Sequence, residues 1–128
     1  MRALAPTMSY KIHFEYRPEY LYVYVKSDRI SYTIAKQYWM EIVAVRQKRR
    51  YDRVLVDKDI SKTLPIYDVF TLVSELARSG LTRVKLAIAD RRYDPERSRF
   101  EETVSRNRGL HVKILRDFEQ AEKWLLSR

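Results

Sequence analysis

Two carboxylates, Asp57 and Asp59, flank Lys58 immediately after the apolar run 54–56. Paired acids at the end of a strand can hold magnesium while one of them attacks phosphorus, so phosphoryl transfer is the first chemistry to weigh. Such sites also need a positioned lysine and further acids. Helix capping and loop ion pairs account for the same residues. Ser61 and Thr63 add two hydroxyls farther along the same predicted loop. His13 and His111 are the side chains able to exchange protons near neutral pH, and both fall at outward strand positions with no serine or cysteine nucleophile motif beside them. Cysteine is absent, which removes disulfides, thiolate metal sites and cysteine nucleophiles. The two glycines, Gly80 and Gly109, both fall where helices stop, so no glycine-rich phosphate loop can form. No catalytic residue, metal or cofactor is assigned, and the expectation is a protein that binds rather than reacts.

The binding surface follows from the strands. Tyr10, Ile12, Phe14 and Tyr16 alternate with Lys11, His13 and Glu15, and Leu21, Val23 and Val25 alternate with Tyr20, Tyr22 and Tyr24. Weaker alternation recurs at Val54 and Val56, at Val84, Leu86 and Ile88, and at Leu110, Val112 and Ile114. A sheet covered by helices on both faces gives unbroken apolar runs instead, so one face is expected to be bare. That face collects His13, Tyr22, Tyr24, Lys85 and Lys113, a candidate contact surface. Aromatic residues of this kind suit association with a protein partner or a second copy of the chain. The alternative is a nucleic-acid-binding module in which the tyrosines stack unpaired bases beside the lysines.

Helices must carry this sheet. The tripeptide Arg17-Pro18-Glu19 is too short for a crossover, so the first two strands form an antiparallel hairpin. Ser31 caps a long helix to about Arg49, with Ile34, Ala35, Tyr38, Ile42 and Val45 as its core stripe. Trp39 and Val43 widen that stripe, either sealing the rim of the core or walling an apolar ligand or interface. The third strand is placed at 53–56 and a long loop at 57–66, followed by a helix burying Ile66, Val69, Phe70, Val73, Leu76 and Ala77. Asp94-Pro95-Glu96 opens a third helix, and Asp117 with Gln120 opens the last, packed by Phe118, Ala121, Trp124 and Leu125. Right-handed crossovers adding strands in order put all crossover helices on one side. The fold class is therefore two-layer α/β, a mixed sheet of about five strands with the first antiparallel and the rest parallel.

With 128 residues and a 45% hydrophobic fraction, the chain is expected to hold a tail over 1–8 and a single domain over 9–128. No stretch is apolar enough to span a bilayer and no signal peptide opens the chain, so a cytoplasmic protein that is not integral to a membrane is expected. The net charge of +9 favours polyanionic partners without selecting among them. Its clusters are Arg46, Lys48, Arg49 and Arg50 with Arg53, and Arg91 and Arg92 with Arg97, Arg99, Arg106 and Arg108.

The order of elements, with Arg53-Val54-Leu55-Val56-Asp57, the stretch from Gly80 to Asp90 and the closing run from Asp117 to Leu125, resembles the SpoIIAA-like fold of STAS domains and their relatives. The resemblance implies a small non-enzymatic domain working through partners. STAS domains of the anti-sigma-factor-antagonist type are phosphorylated on a serine in an Asp-Ser-Ser-Gly-like turn at the start of the helix after the third strand. Here that place holds Thr63-Leu64-Pro65-Ile66-Tyr67, and Ser61 and Thr63 fall too early in the loop, so the phospho-switch is not carried over. Relatives of the family are associated with apolar or lipid ligands, which the broad apolar arc containing Trp39 and Val43 would suit.

Overall fold

In the computed structural model, residues 9–128 are described; the tail expected over 1–8 lies outside the described residues. The two alternating runs pair antiparallel as β1 (Lys11–Tyr16) and β2 (Leu21–Ser27), with His13 opposite Tyr24 and Glu15 opposite Tyr22. β3 (Arg53–Ile60), β4 (Lys85–Asp90) and β5 (His111–Leu115) then add in parallel, so the sheet order is the chain order. Between the strands run α1 (Tyr32–Arg49), α2 (Ile66–Arg78) and α3 (Pro95–Asn107), and α4 (Phe118–Leu126) ends the chain.

The three crossover helices share one face, as the handedness rule requires. Ile34, Tyr38 and Ile42 of α1, Val69, Leu72 and Val73 of α2 and Val104 of α3 form one core with Leu21, Val23, Val25, Val54, Val56 and Leu86 of the sheet. Local chemistry sets the ends of these helices. Ser31 Oγ accepts from the Ile34 N–H at 3.1 Å, Asp94 Oδ1 accepts from the Glu96 and Arg97 N–H groups, and Asp117 Oδ1 accepts from the Gln120 N–H at 2.9 Å. Arg50 ends α1 at φ 59°, a left-handed conformation that a side chain adopts only at a cost.

Three expectations change. The strand placed at 53–56 continues to Ile60, so Asp57 and Asp59 are strand residues rather than loop residues, and only 61–65 connects to α2. The acids are kept in the ladder because β2 pairs with β3 along that whole length, as far as Ser27 opposite Ile60. In α2 the buried stripe is Val69, Leu72, Val73 and Leu76, spaced i, i+3, i+4, i+7, while Ile66 and Phe70 turn outward. Finally, the second face of the sheet is not bare. After β5 the chain crosses to that face, where Ala121 and Leu125 of α4 pack against Leu55, Ala87 and Ala89. The two alanines of β4 leave room for a helix to approach, and α4 adds a partial third layer to the two that the crossovers build. Among the described residues, no helix is long and apolar enough to cross a membrane.

Leu125 is fully buried, so Leu125→Ala is expected to destabilise the protein by roughly 2–5 kcal/mol in urea unfolding. An uncovered face would give no change. Arg50→Gly relieves the left-handed residue at the end of α1 and is expected to raise stability by about 0.5–1 kcal/mol in the same assay; a loss would show that Arg50 makes a compensating contact.

Candidate functional site

Outward positions on β2 and β3 build a polar network at the carboxyl edge of the sheet. Tyr22 and Tyr24 face Leu55 and Asp57 across the parallel register, and each hydroxyl reaches one step farther along β3. The Tyr22 hydroxyl donates to Asp57 Oδ2 at 2.6 Å, and the Tyr24 hydroxyl donates to Asp59 Oδ2 at 2.7 Å. Arg91, immediately beyond β4, donates from Nε to Asp57 Oδ1 and from Nη2 to Asp57 Oδ2, both at 3.2 Å. Its Nη1 lies 3.7 Å from Asp59 Oδ2, and its guanidinium stands 5.2 Å from the centre of the Tyr24 ring. Asp57 is only 6% exposed, and both of its oxygens are occupied. Burial first, and then the hydrogen bond to Asp57, pushes the Tyr22 phenol well above its ordinary range. The bond to Asp59 raises the Tyr24 phenol, and the bond to Asp57 raises the Arg91 guanidinium.

A second arginine from the hairpin turn extends the network toward α4. Arg17 donates to the Tyr20 hydroxyl at 2.6 Å and to Glu15 Oε1 at 3.1 and 2.9 Å, and the Tyr20 hydroxyl donates to Glu122 of α4 at 2.6 Å. The same guanidinium lies 5.4, 4.7 and 5.3 Å from the ring centres of Tyr20, Tyr22 and Phe118. Burial and then the bond to Glu122 push the Tyr20 phenol up to about 12. The tyrosine rings that would stack bases are therefore covered by the protein's own arginines. Neither Arg17 nor Arg91 was among the sequence candidates. For Arg91 the available signal was its place directly after the fourth strand, where side chains converge at the edge of a parallel sheet.

The five-residue surface expected from alternation is divided by α4. His13 is exposed on β1, with Nε2 3.5 Å from Glu15 Oε2, on the same side as Tyr22 and Tyr24. Lys85 instead serves the end of α4: its Nζ donates to the Ser127 carbonyl at 2.7 Å and stands 4.7 Å from the Trp124 ring. Lys113 lines a separate cleft with Tyr93, Arg99 and Arg116. Trp39 and Val43 are buried in the core between sheet and helices.

Trp39 also walls a cavity of about 80 Å³ floored by Leu86 and Ile88 and carrying Tyr38, Lys58, Glu101 and Ser105 at its polar positions. Burial alone would lower the Lys58 ammonium; Tyr38, Glu101 and Asp90 more than offset it and leave it raised. Burial raises the Tyr38 phenol. Ser61 and Thr63 are exposed in the connection before α2, where Ser61 Oγ donates to the Asp28 carbonyl at 3.3 Å. At the start of α2, with Pro65 at the cap position, Ile66 is 55%, Tyr67 79% and Phe70 38% exposed.

No family model matches the chain, and no curated protein matches its sequence. In structure it is similar to an uncharacterized protein of the DUF3478 family from Shewanella loihica PV-4, whose crystal structure has a SpoIIAA-like fold. The TM-score is 0.59 at 14% sequence identity, over 91% of this chain and 94% of that one. The fold is SpoIIAA-like. The hairpin, the three parallel crossovers and the closing helix are thus the parts of that fold, and α2 is its helix after the third strand.

The Tyr20 phenol in this SpoIIAA-like domain tests the network that joins the hairpin to α4. Its folded pKa is raised from 10 to about 12, so the stability it contributes is complete below pH 10 and is lost as pH rises through 12. In an alkaline titration followed by tyrosinate absorbance, Tyr20→Phe is expected to remove a phenol from the late part of the curve. Loss of absorbance near pH 10 instead would show that the bond to Glu122 is absent in solution.

Proposed function

We propose that this SpoIIAA-like domain is a non-catalytic binding module that acts by association with a protein partner or a second copy of itself, through the exposed start of α2. The observation that carries this reading is the solvent exposure of Ile66, Tyr67 and Phe70 on adjoining turns of a helix whose opposite face is core. Contiguous exposed apolar and aromatic residues of this kind mark interaction sites. Phe70 is held in place by an edge contact with Phe100, with ring centres 5.6 Å apart, and by the Arg108 guanidinium at 5.4 Å, so part of the surface is ordered before a partner arrives. The position has meaning in the fold. The STAS domains that the chain resembles carry their phosphorylatable serine at this helix start, and here apolar side chains stand in its place, which favours an association not gated by that modification.

The other readings lose support from the same geometry. Base stacking on Tyr22 and Tyr24 would have to displace Arg17 and Arg91 from their rings, leaving the sequence-independent attraction of a +9 charge. Phosphoryl transfer at Asp57 and Asp59 would have to free carboxylates already bonded to tyrosine hydroxyls and to Arg91. A small apolar ligand has only the cavity walled by Trp39, whose volume of about 80 Å³ is well below that of ordinary ligand pockets and which also carries Lys58 and Glu101.

Native mass spectrometry with sedimentation analysis of the purified protein tests the reading. A dimer or a defined complex is expected, weakened at least tenfold in Kd by the double substitution Ile66→Ser with Tyr67→Ser and unchanged by Tyr22→Phe. A wild-type monomer carrying neither partner nor ligand overturns it.

A further inference from the structure

We propose that the cleft between the first turns of α3, the end of β5 and the first turn of α4 binds the phosphate group of a small phosphorylated molecule. The cleft encloses about 270 Å³ and is lined by Tyr93, Ser98, Arg99, Glu102, Lys113 and Arg116 among others. It lies beyond the carboxyl ends of β4 and β5, the side on which parallel sheets place ligands.

What sets the cleft apart is that three cations without ion-pair partners among the described residues line one concave space. Arg17, Lys36, Lys58, Arg91 and Arg97 all stand within ion-pair distance of a carboxylate; among the described residues, Arg99, Lys113 and Arg116 do not. The nearby acids are already engaged. Glu102, the carboxylate in the cleft wall, accepts from the Ile114 N–H at 2.7 Å, and Asp94 and Asp117 accept from the first N–H groups of α3 and α4. The helix ends therefore contribute their field rather than free N–H donors. Arg116 is steadied by Tyr93, 4.5 Å from its ring centre, so one cation is positioned in advance.

A second observation is independent of the charges. Ser98 is 4% exposed and lines the cleft, and its hydroxyl has no hydrogen-bond partner among the described residues. That hydroxyl is open to solvent in the cleft and is free to donate to a phosphate oxygen. Three cations and a hydroxyl match a tetrahedral dianion better than a single carboxylate, and the volume exceeds that of a phosphate, leaving room beside Tyr93 for what carries it. A polynucleotide would need a continuous basic track. The other cluster, Arg46 to Arg50 with Arg53, closes α1 and opens β3 at the amino edge of the sheet, while this cleft is at the carboxyl edge.

The test is an amide NMR titration of the full chain with sodium pyrophosphate and with ribose 5-phosphate, at ionic strength held constant with chloride. Saturable shifts are expected at Ser98, Arg99, Lys113 and Arg116 with at least one of the two probes. Affinity is expected to fall about tenfold or more in Lys113→Ala and in Arg116→Ala, and severalfold in Ser98→Ala, with no change in Lys48→Ala. Lys113 is exposed and has no partner among the described residues, so its variant keeps the fold and decides the matter if Arg116→Ala does not fold. Non-saturating shifts, an equal loss in Lys48→Ala, or single-stranded RNA binding across both basic clusters while neither small probe binds would each overturn the proposal.

Discussion

A buried carboxylate in the central strand of a sheet must be given its donors, and in this protein they come from the strands on either side. Asp57 of β3 accepts from Tyr22 of β2 and twice from Arg91 at the end of β4. Desolvating a carboxylate is expensive unless every lone pair is met, so these bonds are a condition for the strand to continue past Val56. Arg91 is half exposed, and solvent screens much of its attraction for Asp57. The larger effect is on register. A slip of one residue between β2 and β3 would turn Asp57 toward the apolar core beneath the helices and leave Tyr22 without its acceptor.

Once that register holds, the outer face of the sheet is divided in two. Leu55, Ala87 and Ala89 form a shallow apolar strip on which α4 lies, and Tyr20, Tyr22 and Tyr24 rise beside it. Arg17 fills the seam, bonded to Tyr20 and lying against the Tyr22 and Phe118 rings, which meet edge to face. The aromatic face that might have met a ligand is therefore an internal joint between the hairpin and the last helix. The exposed apolar start of α2 and the cleft beside α3 lie elsewhere, both at the carboxyl edge of the sheet.

Features encoded by near neighbours were legible in the sequence. The hairpin follows from a three-residue turn between alternating runs, and the caps at Ser31, Asp94 and Asp117 from a side chain two or three residues before the N–H it meets. Features that depend on distant residues were not. Asp57, Lys58 and Asp59 have the composition of a loop, and what keeps them in a strand is a tyrosine 35 residues earlier and an arginine 34 residues later. The rotation of α2 was ambiguous for a related reason: Ile66 and Phe70 continue the helical period as well as Leu72 does, and only the sheet beneath decides which stripe it takes. Alternation in β4 signalled an outer face without showing that its alanines would seat a helix. The outward direction of the tyrosines was legible, but the arginines covering them were not.

The excess of positive charge has two different roles once the pairs are assigned. Arg17 and Arg91 are each held by carboxylates and by aromatic rings, and they work as rigid, multiply bonded donors that fasten strand to strand and hairpin to helix. Arg99, Lys113 and Arg116 have no such carboxylates among the described residues and line one concave cleft. Charge spent on architecture is thereby separated in space from charge left free for a ligand. The same edge of the sheet carries the apolar start of α2, so a phosphorylated ligand and a protein partner would approach this domain from one side.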